Sequence, residues 1–545
     1  MVSFPVTVLR SFYSRQIRRR SVRVAYGASL FIVAVIWVCP QLAAQSQKAT
    51  AKKIPSAEKI IDNYLKAIGG KKRLASIRDE TYEWTIELNN QPIGIAKTQI
   101  KAPASFRSEM QFGNGQLIAG ATPASAWMYG LDNRLLTLTG AEAAAAKLHA
   151  LLRASNLTEY KKLNVMARVI SLGDLASEPS YIVEFSTRGG GRLRHWFSVK
   201  SSLLVKVEDD ARKTTTRFED YKTTTAQPAL LEPHLFRLKS GDGELTFRLQ
   251  RAAYNTGIPS STFDPPKGAE ALDIVGLLRE VARNQDEVEK RVGEYAFLKK
   301  ETDREMNGKG ELKKEKTRVY EVFPMAHRES IMKLISEDGV VLSGERAAKE
   351  AKRVEEEFLK AERERGKTEE KAERRKAERA AKGETDNDDD PTISQFLKVC
   401  EFVSPRRERF GDREAIVFDF RPRTGFKPSN RTETLISKLV GVAWIDPADK
   451  QVMRLEARLA EGFKMGGGLV LSLRPGAGLV MEQTRMTEGV WLPRFAQVNL
   501  SMKVFVFKGM DVNKTIEWSD YKHFTGDVSD YKLEAPKTDS MEKKP

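Results

Sequence analysis

The sequence of 545 residues predicts an α+β protein, mainly antiparallel sheet, built from two β-rich domains of one layout. Three observations predict it. Apolar and polar residues alternate with period two through many short segments, the pattern of sheets with one covered face. Each half opens with an amphipathic helix and continues as a long meander. One hairpin occurs twice: Trp196-Phe197-Ser198 before Leu204-Val205-Lys206-Val207-Glu208 matches Trp444-Ile445-Asp446 before Val452-Met453-Arg454-Leu455-Glu456, every pair 248 positions apart.

The first half begins after a polar leader, residues 45–55. Ser56 stands where an N-cap belongs, ahead of Ile60, Ile61, Tyr64, Leu65 and Ile68 on one helical face, and Gly69-Gly70 stops the helix. Along Thr81–Leu88 the residues Tyr82, Trp84, Ile86 and Leu88 face one way. Phe106, Ser108, Met110 and Phe112 alternate with Arg107, Glu109 and Gln111. An alanine-rich helix over about Gly140–Ala154 interrupts the strands. They resume at Tyr181–Ser186 and Leu193–Ser198, joined by Gly189-Gly190-Gly191, and continue to Leu245, Phe247 and Leu249. Phe263-Asp264-Pro265-Pro266-Lys267-Gly268 reads as a boundary, so the first domain spans 56–268.

The second domain, 269–536, opens with a helix over about Ala269–Val292. Its strands are expected at Tyr295–Glu301, Thr317–Phe323, Ala415–Phe420, Val452–Ala460, Leu469–Leu473, Val480–Met486 and Ala496–Phe507. Leu231-Glu232-Pro233 resembles Trp491-Leu492-Pro493 with twelve extra residues between, which the 466–478 region can supply. A rival match, Asp220-Tyr221-Lys222 with Asp520-Tyr521-Lys522, breaks this register and is treated as coincidence. Residues 537–545 form a polar tail.

Between the strands lies a charged insertion, 344–390. Residues 345–384 hold fourteen Lys/Arg and twelve Glu, with Glu345→Lys349, Glu356→Lys360, Glu370→Arg374 and Glu378→Lys382 in the favourable i,i+4 order. Only Val354, Phe358 and Leu359 are large and apolar, too few for a coiled-coil seam. The segment reads as a solvated helix projecting from a loop, or as an arm that binds an envelope protein partner. Asp386-Asn387-Asp388-Asp389-Asp390 opens like a calcium loop but has Pro391 at position six and Leu397 at twelve, so no metal is expected.

Composition sets the address. A hydrophobic share of 41% with Gly 37, Pro 22 and Cys 2 excludes wholesale disorder, collagen and disulfide scaffolds. Residues 1–44 carry six arginines, no acid, a short apolar run over 25–39, and Leu42-Ala43-Ala44, the layout of a signal peptide. The run is short for a spanning helix, which needs about 20 residues; an uncleaved anchor is the alternative. Removing those six arginines lowers the net charge from +17 to +11 and leaves Cys400 as the only cysteine, so no internal disulfide can form. The expected location is the periplasm or the outer membrane. The remaining charge suits an anionic membrane surface better than nucleic acid.

Motifs for catalysis are missing. His149, His195, His234, His327 and His523 are scattered, and no phosphate loop, nucleophile elbow or dinucleotide fingerprint occurs. His195, beside Trp196 on a strand, reads as a hydrogen-bonded structural histidine. No enzyme activity and no cofactor are expected.

A helix ending Ala67-Ile68-Gly69-Gly70, then a meander with Trp196-Phe197-Ser198 and an amphipathic return strand, resembles the bacterial outer-membrane lipoprotein-sorting family, LolA/LolB-like. The second half is similar in layout through Trp444-Ile445-Asp446 and Trp491-Leu492-Pro493. The resemblance implies two strongly curved half-open β-barrels, each with helices on the concave side and a hydrophobic cavity for an acyl chain, lipid or lipoprotein. The lining residues it selects are Tyr82, Trp84, Ile86, Phe106, Met110 and Phe112, then Trp444, Met453, Leu455, Val498, Leu500 and Met502. The same stripes also describe plain core. The second function class is an envelope scaffold or sensor that binds proteins through its sheet faces and charged arm.

Overall fold

The structure is a computed structural model that describes residues 54–268, 271–307, 311–324, 330–360, 363, 393–465, 471–487, 489–504 and 508–523. The signal peptide, the leader up to residue 53, most of the charged insertion beyond 360 and the tail lie outside the described residues. Among the described residues no helix is long and apolar enough to cross a membrane.

Helix α1 (Ala57–Ala67) starts where its cap predicts: Ser56 Oγ accepts from the Lys59 N–H at 3.3 Å. It ends in a Schellman turn, with the Gly70 N–H donating to the Leu65 carbonyl at 2.8 Å and Gly69 and Gly70 both at positive φ. Short α2 (Lys71–Ala75) follows. The first sheet then builds from β1 (Asp79–Leu88), β2 (Gln91–Lys101), β3 (Ser105–Phe112), β4 (Gly115–Ala121), β5 (Ala126–Tyr129) and β6 (Leu135–Thr137). It continues with β7 (Met166–Leu175), β8 (Glu178–Ser186), β9 (Arg192–Ser198), β10 (Leu204–Asp209), β11 (Thr214–Thr223), β12 (Leu231–Ser240) and β13 (Gly243–Tyr254). The order is β6-β5-β4-β3-β2-β1-β13-β12-β11-β10-β9-β8-β7, so the first strand pairs with the last.

The alanine-rich helix is broken rather than continuous. It runs as α3 (Gly140–Leu151), turns out at Leu152-Arg153, and resumes as α4 (Ala154–Leu157). The break lets the Arg153 side chain enter the core, where Nη2 donates to the Ile77 carbonyl at 2.8 Å. Helix α3 touches β3, β4 and β5 as well as β9, which stands eight places from β4 in the sheet order. Only a strongly curved sheet can bring both to one helix. Its concave face is packed by α1, α2 and α4: Ile60, Ile61, Tyr64, Leu65, Leu74 and Leu157 meet Trp84, Ile86, Phe185, Phe197 and Phe247.

Helix α5 (Ile274–Val292) begins five residues later than expected, after Asp273, whose Oδ1 accepts from the Gly276 N–H at 2.9 Å. Its Ile274, Leu277, Leu278 and Val281 pack on Ile416, Phe418, Ala443 and Ile445. The second sheet comprises β14 (Tyr295–Met306), β15 (Leu312–Phe323), β16 (Ile331–Glu337), β17 (Val340–Val341), β18 (Cys400–Phe410), β19 (Arg413–Pro422), β20 (Leu439–Asp446) and β21 (Gln451–Leu459). Then come β22 (Phe463–Met465), β23 (Leu471–Leu473), β24 (Gly478–Arg485), β25 (Trp491–Val504) and β26 (Lys508–His523). Among the described residues, helices α6 (344–360), α7 (Ile393–Val399) and α8 (Arg431–Ile436) lie between these strands.

The main path of this sheet is β17-β16-β15-β14-β26-β25-β24-β21-β20-β19-β18, and again the first strand pairs with the last. Counted from that pair, β9–β10 and β20–β21, the hairpins of the sequence match, hold the same places. The extra length appears as the β22–β23 hairpin, a side branch that pairs with β25 of the main path through β23. Asp220 and Asp520, by contrast, lie on the non-equivalent strands β11 and β26. Both adopt φ +53°, and the tyrosine after each donates its hydroxyl to a backbone carbonyl, Tyr221 to Leu204 and Tyr521 to Pro493. The shared triplet is a local device unrelated to the repeat.

The root of the charged insertion is docked, which corrects the expectation of a freely projecting helix. Within α6, Val354 is fully buried and Phe358 meets Phe323 edge-on at 5.8 Å. Glu350 Oε1 accepts from the Leu334 N–H at 2.8 Å, and Arg353 donates to the Met332 carbonyl. Two side chains thereby satisfy backbone groups along an edge of β16 that β17 is too short to cover. The sequence's three large apolar residues are two anchors and one exposed residue, Leu359.

The two sheets meet through buried charge. Arg406, 2% exposed, holds Glu408 at 2.7 Å and Asp419 at 3.2 Å. Across the junction, the Thr137 N–H and hydroxyl donate to Glu408 at 2.7 and 2.6 Å, and the Ser125 hydroxyl donates to Asp419. Lys147 on α3 lies 3.5 Å from Glu456 on β21.

Candidate functional site

On the concave face of the first sheet, six residues stand directly opposite one another across six strands. From β11 to β3 they are Phe218, Phe236, Phe247, Ile86, Gly94 and Phe112. Phe236 stacks on Phe247 with centroids 4.4 Å apart and planes 8° off parallel. Trp84 meets Phe236 edge-on at 4.8 Å. Ile86 and Phe247 are fully packed, whereas Phe218, Phe236, Phe112, Met110 and Leu238 are only half-buried. The row is an apolar belt with its outer strands partly open.

Lower on the same face the chemistry turns polar. Tyr82 donates its hydroxyl to Glu232 at 3.1 Å and to Glu80 at 3.3 Å, and Tyr254 donates to Glu232 at 3.2 Å. Arg153 reaches Glu80 at 3.6 Å. Glu232 keeps part of its surface open to solvent. Even so, the surrounding rings strip most of its water and, with the Glu80 charge adding to this, push its carboxyl up to about 7; the two tyrosine hydroxyls pull the other way. Burial raises Glu80 as well, against the pull of Arg153. A carboxyl poised near neutrality and flanked by phenols can donate or accept a hydrogen bond, and Trp84 Nε1 is buried nearby without a partner.

In the first half, Tyr82, Trp84 and Ile86 are 9%, 7% and 0% exposed and belong to the main core, with Met110 and Phe112 packed against it. Phe106 departs from them: it packs on an alanine cluster around Ala121 and Ala143 and meets His149 edge-on. The second set is split between faces. Trp444 and Met453 pack with Ala415, Val417, Val442 and Trp491, while Leu455 lies on the α5 side with Ile445 and Phe418. A β-bulge between Trp444 and Ile445 leaves Met453 without an opposite partner and breaks the alternation that places it with Leu455. Leu500 packs near Leu435 of α8, and Val498 is buried on the same strand face. The Met502 side chain lies outside the described residues.

Sequence reasoning missed Glu80, Glu232, Arg153, Tyr254, Phe218 and Phe236. Phe236 and Leu238 alternate on β12 as clearly as Leu245 and Phe247 do on β13, so that belt carried a usable signal. Glu232 carried none, being one acid among many. His195 is also corrected: its ring packs against Phe185 at 4.8 Å, its Nδ1 has no hydrogen-bond partner, and burial pushes its pKa down to about 3. Burial pushes the Cys400 thiol up to about 12.

Solved structures similar to this chain include DUF1329 and LolA-superfamily lipoprotein-sorting proteins, the family that the sequence resembles. One is a DUF1329 family protein from Desulfovibrio piger, 11% identical, covering 38% of this chain and 97% of its own, with a TM-score of 0.26. A putative outer membrane lipoprotein-sorting protein domain from Vibrio parahaemolyticus is 13% identical over the same shares, TM-score 0.26. A LolA superfamily protein from Nitrosomonas europaea is 10% identical, covering 39% of this chain and 99% of its own, TM-score 0.27. Scores this low carry no argument about function. No family profile and no curated protein matches the chain.

Proposed function

We propose that this chain is a non-enzymatic binding protein of the bacterial cell envelope that holds an amphiphile, an acyl chain, lipid or lipoprotein, on the concave face of its first sheet. The observation that carries the reading is the in-register belt of half-open aromatic rings that passes into the Tyr82–Glu232–Tyr254 cluster. An acyl chain along the belt gains about 0.8 kcal/mol per buried CH₂, and the phenols and carboxyl meet its polar end. The two sheets, with their shared strand order, are read as tandem copies over 56–268 and 269–536, exported behind the N-terminal signal.

Native mass spectrometry of the mature protein and titration with a fluorescent fatty acid test this reading. The wild type is expected to carry or bind lipid, with affinity rising with chain length, and Leu238→Arg to weaken binding at least tenfold while the fold persists. A wild type that neither carries lipid nor binds the probe overturns the reading.

Envelope protein binding through the 345–384 arm is the second reading. It is favoured by the docking of α6, which gives the arm a fixed root on the sheet. Deleting residues 361–384, beyond the docked root, is then expected to remove a partner and leave lipid binding intact.

A further inference from the structure

A second polar site lies on the second sheet, on the face opposite α5. Arg458, Gly478, Asn499 and Asn513 stand directly opposite one another on β21, β24, β25 and β26. Strands run about 4.8 Å apart, so the row is compact enough for the long Arg458 side chain to lean across the glycine. Gly478 is required by this crossing: a Cβ there would come within 2.8 Å of the Ala457 carbonyl and 3.1 Å of the Arg458 Cβ, so a larger residue would crowd the arginine.

Three buried polar atoms of this row are unsatisfied. Asn499 and Asn513 are 8% and 9% exposed, and neither side-chain oxygen has a hydrogen-bond partner. Arg458 Nε is buried without an acceptor. Among the described residues Arg454 holds Glu456 and Glu482, Lys147 holds Glu456, and Arg406 holds Glu408 and Asp419. Arg458 alone of these cations forms no ion pair, although part of its surface stays open. Burial pushes its pKa down to about 10 against the pull of Glu456, the direction of a charge that lacks a counter-ion. The first sheet approaches the Arg458–Gly478 end of the row, through Lys147 on α3 beside Glu456 and through Asn164, whose side-chain amide donates to the Pro475 carbonyl.

Leaving three adjacent buried polar groups unpaired is costly unless something else pairs them. We infer that the row binds a phosphate group: Arg458 takes its oxygens in a forked contact, and the Asn499 and Asn513 amides, turned nitrogen-inward, complete the donors beyond Gly478. Guanidinium geometry suits a tetrahedral oxyanion, and an amide's orientation is set by the partner it meets. The phosphate comes from a soluble phosphomonoester or from a lipid headgroup. The site is separate from the belt on the first sheet.

The test uses the full mature chain with two probes, glycerol 3-phosphate followed by calorimetry and phosphatidylglycerol vesicles followed by co-sedimentation, with phosphatidylcholine vesicles as blank. Saturable binding of the first assigns a soluble ligand, and of the second alone a headgroup. Arg458→Gln is expected to lose binding at least tenfold and, having shed a buried unpaired charge, to melt no lower than wild type. Asn499→Asp, which offers Arg458 an internal carboxylate, is expected to lose it equally. Leu238→Arg is expected to bind phosphate normally, which separates this site from lipid binding. Failure of both probes on the wild type, or undiminished binding by both row variants, overturns the inference.

Discussion

At the scale of single residues, Glu232 has the sharpest measurable consequence. Its folded pKa of about 7 lies above the ordinary value of 4.5, because burial disfavours the anion. Between those values the folded state binds more protons than the unfolded state, so stability falls as pH rises through this window and is highest below it. Glu232→Gln keeps an acceptor for Tyr82 and Tyr254 and removes the titration. Relative to this variant, the wild type is expected to lose on the order of 2 kcal/mol between pH 4.5 and pH 8, read from denaturant unfolding. Equal pH profiles for the two proteins count against the buried-carboxyl account. Nothing in Leu231-Glu232-Pro233 distinguishes this acid from a solvated one. Its state depends on Glu80 and Tyr82, which lie 150 residues or more away along the chain. Alternation, by contrast, is a local property, and it made Tyr82, Trp84 and Ile86 legible as buried positions.

Among the elements, α6 turns a polar sequence into a structural strap. Its charge density suits a helix surrounded by water, yet Val354 is buried, Phe358 four residues on meets Phe323, and Glu350 and Arg353 cover the β16 edge. Val354→Ala removes two buried methyl groups and is expected to cost about 1–3 kcal/mol. Hydrogen exchange at the Leu334 amide is expected to accelerate in the same variant, because the Glu350 acceptor loosens with the helix. Unchanged protection at Leu334 would sink the strap. The helix itself was readable from i,i+4 pairs. Its docking was not, since two apolar residues are too few to tell a face from a fluctuation. The leading helix α1 was readable almost to the residue, because Ser56 and Gly69-Gly70 encode both ends locally. The break at Arg153 escaped because an alanine-rich stretch supports helix on either side of it, and only the buried Glu80 and Ile77 carbonyl call the side chain inward.

For the whole molecule, the junction around Arg406 decides whether the sheets move as one body. Ser404-Pro405-Arg406-Arg407-Glu408 reads as a solvated strand face, and only the second sheet's contact with Thr137 and Ser125 makes it interior. Arg406→Met leaves Glu408 and Asp419 buried without their cation, which is expected to cost about 3–5 kcal/mol. Small-angle scattering is expected to show a larger radius of gyration as the sheets part. An unaltered radius with unaltered stability would show that the junction does not need the arginine. The two matching hairpins, β9–β10 and β20–β21, were legible because the residues of both keep one spacing. The face of each copy was not, since the Met453 bulge inverts alternation without any mark in the sequence. The pairing of first strand with last, β1 with β13 and β14 with β26, has a further consequence for how the chain matures. A polypeptide made from its N-terminus cannot finish either sheet until that sheet's final strand arrives: Glu80 waits for Tyr254, and Tyr295 waits for His523. Such distant pairings are slow to form and leave strand edges bare meanwhile. The first sheet can close while the second is still being made, so the interval of greatest aggregation risk falls late, on the half that carries the charged arm.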